Sequence, residues 1–191
     1  MFSSNKEDKP VVIEGKKEEI KVETAEKDYF KNGKDLGNWD LAVSNYKENA
    51  EEYLRKINIF REKCGIPMIN TSFLREKADQ IKIYKEKAAK KEFPFDKTSK
   101  FGEGVYDESL VPLSSKHFYA QAGDFSDREK KIAKWVLDNL DWCIENKYYF
   151  ENFGYNLTTK KREYDEKADK TKTWIHIQIV PPGSGNTIFN P

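Results

Sequence analysis

The segment "TWIHIQIV", residues 173–180, constrains the fold more than any other stretch of the chain. β-Branched and aromatic residues alternate there with period two, the pattern of a strand with two unlike faces. Thr173, Ile175, Ile177 and Ile179 share one face, which reads as a core face. Trp174, His176, Gln178 and Val180 share the other, a polar-aromatic surface suited to the floor of a cleft. Such a strand needs partner strands, and they must come from segments well separated in the chain.

The intervening segments read mostly as helices. Ser44 is a plausible N-cap, and Tyr46, Ala50, Tyr53, Leu54, Ile57, Phe60 and Cys64 follow at three- and four-residue steps. Gly65 stops that helix and Pro67 prevents a restart. A short strand is expected in "PMINTSF", carrying Met68 and Ile69, and a charged helix over residues 76–92. Residues 93–112 read as a loop with Pro94, Gly102, Gly104 and Pro112. Ser126 and Glu129 form a capping box ahead of a helix whose apolar face holds Ile132, Trp135, Val136, Leu140, Cys143 and Ile144. Residues 148–172 are mixed, with "KKREYDEKADKTK" as a charged hairpin or loop. Helices among scattered strands predict an α+β fold, a small antiparallel sheet flanked by helices, over residues 36–182. Residues 1–35, rich in Lys and Glu, read as an extended charged arm, and residues 183–191 as a tail without regular pattern.

Charge narrows the function classes. Lys and Arg number 34 and Asp and Glu 33, so no basic excess points to nucleic acid. No run approaches the roughly 18 apolar residues of a membrane span, and the N-terminus shows no signal-peptide core. The expectation is a soluble protein made in the cytoplasm. Cys64 and Cys143 lack metal-finger spacing and read as two buried thiols.

The chain has only two histidines, His117 and His176. Taken singly, each is an ordinary packing residue, and Asp124, just ahead of a helix, is an ordinary cap. Taken together, two imidazoles and a carboxylate form a standard ligand set for a catalytic zinc, with a fourth position left open.

The stretch "SKHFYAQAGDF" resembles the Ser-x-His-x-x-Gly-x-Ala-x-Asp signature of zinc D-alanyl-D-alanine carboxypeptidases and L-alanyl-D-glutamate endolysins, which share a fold with the hedgehog signalling domain. Ser115, His117, Ala122 and Asp124 match it, while Ala120 stands where the family usually has Gly. "WIHIQ" is similar to the strand that supplies the family's third ligand, and "LRKINIFREKCGIPMINTSFLR" to its leading helix, Gly-x-Pro stop and following turn. The likeness runs over roughly residues 50–180, in the family's order. It implies that His117, Asp124 and His176 hold Zn2+, that Ser115 either supports the ligands from behind or forms the turn, the turn being favoured, and that Arg75 faces the substrate, either binding a carboxylate or polarising the scissile carbonyl.

The family also implies a general base just before the third ligand, but Thr173 and Trp174 occupy that place. Asp169, Glu166, Asp165 and Glu163 are the nearest carboxylates, and Asp169 or Asp165 could lie across from His176 if their segment pairs with the strand. The implied function is cleavage of peptidoglycan stem peptides, in the manner of an endolysin or cell-wall hydrolase. A second reading is a catalytically impaired relative serving as a structural part of a bacteriophage virion or another assembly, with the arm as the handle for its partner. A third is a plain α+β domain with incidental histidines.

Overall fold

The isoleucine-rich segment becomes a strand, Trp174–Gln178, in the middle of a five-stranded sheet. The computed structural model describes residues 36–90, 104–111 and 113–190. The expected arm over 1–35 and most of the expected loop over 93–112 lie outside the described residues. In chain order the strands are β1 (Asn70–Ser72), β2 (Ala122–Ser126), β3 (Tyr149–Glu151), β4 (Trp174–Gln178) and β5 (Ile188–Phe189). Their order across the sheet is β1-β2-β4-β3-β5.

Helices pack around this sheet, so the fold is α+β, as expected. The sheet itself is mixed rather than purely antiparallel, because β5 runs parallel to β3. The segment expected to be an irregular tail therefore supplies an edge strand. Amides of Phe150 and Asn152 donate to the carbonyls of Thr187 and Phe189, at 2.7 and 2.8 Å, and Ile188 is buried.

The core lies between one sheet face and the helices. Phe125, Phe150, Ile175 and Ile177 are fully buried on that face. Against them lies α1 (Leu36–Cys64), which buries Ala50, Tyr53, Leu54, Ile57, Phe60 and Cys64 at helical spacing. This helix begins upstream of the expected start at Ser44, and Tyr46 breaks it with non-helical φ −142° and ψ 46°. Gly65 ends it in the left-handed conformation, φ +68°, with its amide donating to Arg61 O at 2.8 Å. Phe60 is ringed by Trp135, Trp142, Tyr148 and Phe150, with ring centroids between 5.2 and 6.2 Å away.

A second helix, α2 (Lys77–Ala89), matches the charged helix of the sequence. The expected long helix after β2 is two short ones, α3 (Lys131–Asp138) and α4 (Leu140–Glu145), divided at Asn139. Ile144 consequently turns outward and is half exposed. Lys130 holds the N-cap position of α3, with φ 55°, and the carboxylate that caps its first turn is Asp127 rather than a Ser126 hydroxyl. That carboxylate accepts from the amides of Ile132 and Ala133 at 3.1 and 2.9 Å, while Ser126 is still in the strand and Glu129 pairs with Lys131. Cys64 and Cys143 are buried free thiols, as expected. Among the described residues no helix is long and apolar enough to cross a membrane.

Candidate metal centre

Strand register builds the site. β2 and β4 pair antiparallel with Asp124 opposite His176, and β1 places Ser72 opposite Asp124. On the far side of β4, Tyr149 pairs with Gln178 and Phe150 with Ile177, so the next residue of β3, Glu151, falls beside His176. Ser72, Asp124, His176 and Glu151 thus form one row across four strands, on the face away from the aromatic core.

His117 reaches this row from a short 3-10 helix, Lys116–Tyr119, whose N-cap is Ser115. The Ser115 hydroxyl accepts from His117 N at 3.4 Å, the turn-forming part expected of it. Ala120 closes the turn in the left-handed region, φ 54° and ψ 36°. Glycine, the residue of the resembled motif at this place, would adopt that conformation without the steric cost an alanine bears.

Both imidazoles are oriented by groups that fix their tautomers. His117 Nδ1 meets the carbonyl of Phe73, which can only accept, so Nδ1 carries a proton and Nε2 faces the row. Gln178 donates its amide to Val180 O at 2.7 Å, which leaves Gln178 Oε1 to accept from His176 Nε2 at 3.2 Å. His176 Nδ1 is thereby turned to Asp124. His117 Nε2 and His176 Nδ1 lie 3.4 and 2.8 Å from Asp124 Oδ1. All three ligand atoms fall within 4.8 Å of one another. Two imidazoles and a carboxylate are a donor set that one metal ion takes up, and both separations from Asp124 Oδ1 are near those between ligands of a single ion. The group His117, Asp124 and His176 could hold a metal ion.

Electrostatics follows from burial and contact. Burial holds the His117 pKa below its ordinary 6.5 despite the neighbouring carboxylate. Burial also pulls on His176, but the hydrogen bond and charge of Asp124, aided by Glu151 and Gln178, carry it above 6.5. Burial would raise Asp124, yet the two imidazoles hold it far below the usual carboxylate range. Burial pushes Glu151 above its ordinary 4.5, against the pull of His176, Lys87 and Arg75.

Arg75 is at the site, as expected. Its Nη1 donates to Gln80 Oε1 at 2.8 Å and its Nη2 to Ser72 Oγ at 3.0 Å, and Nη2 lies 3.5 Å from Asp124 Oδ2. Asp169 and Asp165 are elsewhere, and neither lines the cleft. Asp169 Oδ2 takes Lys130 Nζ at 2.7 Å and Tyr164 OH at 2.8 Å, and its Oδ1 caps the amides of Thr171 and Lys172. Asp165 caps Lys167 N and accepts from Asn156. These are turn-building carboxylates in a segment that forms no strand of the sheet and meets the chain just after β3, at an isolated bridge between Phe153 and Asp169.

The carboxylate across from His176 is Glu151 instead. The aromatic run "KYYFEN" after the last helix is compatible with a strand, but nothing in the sequence sets the register that brings Glu151 beside His176. The whole site opens into a cleft of about 1160 Å³ lined by His117, Asp124, Glu151, His176, Arg75 and residues of α2.

Comparison of the chain with protein-family models, curated proteins and solved structures found no match. The likeness to the zinc peptidases remains one of motifs and residue order.

Proposed function

We propose that the chain is a zinc-dependent peptidase acting on peptidoglycan stem peptides. One observation carries the reading: the potential ligand atoms of His117, Asp124 and His176 converge, in contact with one another, in a cleft that also presents Glu151 and Arg75. Zinc held by two imidazoles and a carboxylate supplies Lewis acidity, which brings the pKa of water down to roughly 7.

The chain's own groups do the rest. Glu151, half-buried beside His176, accepts a proton from the attacking water on a carboxylate oxygen. It then delivers that proton to the leaving amine nitrogen as the C–O bond forms and the C–N bond breaks. Arg75, clamped by Ser72 and Gln80, presents a fixed guanidinium to the carbonyl oxygen or to a substrate carboxylate. Gln178 and the Phe73 carbonyl hold the imidazoles in their ligating tautomers. The absent base at Thr173 and Trp174 is one motive for the inert alternative, beside Ala120 and the charged arm and tail, and Glu151 offers a carboxylate from another strand in its place.

The test is hydrolysis of defined stem peptides by the zinc-loaded chain, followed by mass spectrometry. Cleavage should disappear on chelation and return with zinc. A protein that binds one equivalent of zinc yet cleaves no stem peptide refutes the hydrolase.

A further inference from the structure

The cleft differs in charge from the chain around it. Overall the protein is nearly neutral, with 34 basic and 33 acidic residues. The cleft is lined by Arg75, Lys87, Lys116, Lys170 and Lys172, against only Asp124 and Glu151. Asp124 is already taken by the imidazoles and Arg75. None of the four lysines forms an ion pair among the described residues.

These lysines come from three separate elements, and two of those elements hold them in fixed register. On α2, Gln80, Ile83, Tyr84 and Lys87 recur at helical spacing and line the cleft as one stripe. Gln80 anchors Arg75, and the Lys87 ammonium lies 5.9 Å from the centre of the Tyr84 ring. The loop before β4 is pinned from beneath. Asp169 caps Thr171 and Lys172, and the Lys170 amide donates to Asn152 O at 3.0 Å. Buried Thr171 thereby leaves its two neighbours, Lys170 and Lys172, exposed at the cleft. Lys116 enters from the turn that delivers His117.

Resting on the peptidase reading, we infer that the cleft selects an acidic peptide, one with carboxylates on both sides of the scissile amide. Lys87 takes a carboxylate on the α2 side, and Lys116, Lys170 and Lys172 take those displayed toward the loops. Lysines supply compact point charges suited to carboxylates held in varied geometries. Cations clustered in a cleft raise the local concentration of an oppositely charged ligand, and salt screens that attraction. The half-buried rings of Tyr84 and Trp174 offer apolar surface for the aliphatic parts of a peptide, which a phosphate polymer would leave unused.

The experiment compares a peptide carrying free carboxylates on both sides of its central amide with its twin in which every carboxylate is a carboxamide. Binding is read by calorimetry on the zinc-loaded full chain carrying Glu151→Gln, and cleavage on the unaltered chain. The acidic peptide should bind roughly tenfold tighter, with the advantage shrinking as salt rises. Lys87→Gln, and Lys170→Gln combined with Lys172→Gln, should each erode the preference while zinc stoichiometry stays the same. Equal binding of the twins, a preference untouched by these substitutions, or displacement of the peptide by an oligonucleotide of equal charge overturns the inference. Cleavage of neither peptide, with the preference intact, refutes the hydrolase and upholds the acidic ligand.

Discussion

Asp169 and Glu151 are acidic side chains close to β4, and their surroundings give them different work. Asp169 is saturated: one oxygen holds Lys130 and Tyr164, and the other caps a loop. Removing its charge in Asp169→Asn strands an ammonium whose side chain is only 8% exposed, at a cost of about 3–5 kcal/mol. Chemical denaturation should show that loss. Glu151 has the reverse profile. It lies in the cleft with its pKa pushed above 4.5 by burial, which makes it a better proton acceptor than an exposed carboxylate. Glu151→Gln should cut stem-peptide turnover by about 10²–10⁴ while leaving the unfolding midpoint and zinc content unchanged. Retained turnover in that variant would remove Glu151 from the chemistry.

At the scale of elements, the approach of α1 to the sheet rests on one glycine. A Cβ on Gly123 would collide with the Tyr53 hydroxyl, which donates to Ile177 O at 3.2 Å and ties the helix to β4. Gly123→Ala should cost about 1–3 kcal/mol in the native background and clearly less with Tyr53→Phe, a coupling that a double-mutant cycle on denaturation midpoints measures. Additive effects would show that the hydroxyl is not the obstacle. Elements differed in how far the sequence revealed them. α1, α2 and β4 are long enough for their period to be read. β1, β3 and β5 have three, three and two residues, too few for any period, and only their partners define them. The start of α3 falls later than the capping box at Ser126 predicts, at Lys130, because the point where the chain leaves the sheet is a tertiary matter. The three residues that could hold a metal were legible through the motif resemblance. Glu151 was not, because it joins the site through strand register and not through the chain.

For the whole molecule, a metal at this site is a cross-link between segments that are distant in sequence: the turn at His117, β2 at Asp124 and β4 at His176. Any ligand that binds only the folded state adds stability by mass action, about 4 kcal/mol at a thousandfold excess over its dissociation constant. Zinc should therefore raise the unfolding temperature, and chelation should reverse the rise. The size of the shift depends on pH. In the metal-free protein the folded pKa of His176 lies above 6.5, so its protonated contact with Asp124 stabilises the fold fully below about 6.5 and is lost as pH rises through the folded value. Zinc needs the lone pair of Nδ1 and must displace that proton, so its affinity falls as pH drops through the same value. These are two sides of one linkage: the zinc-induced shift in unfolding temperature should be small in mild acid, grow as pH rises through the folded pKa of His176 and then level off, with proton release in the acid range detectable by calorimetry in buffers of different ionisation enthalpy. Asp124→Asn should abolish the shift at every pH, since it removes both the ligand oxygen's charge and the partner of His176. A shift that is independent of pH, or one that survives Asp124→Asn, would place the zinc somewhere other than this row of the sheet.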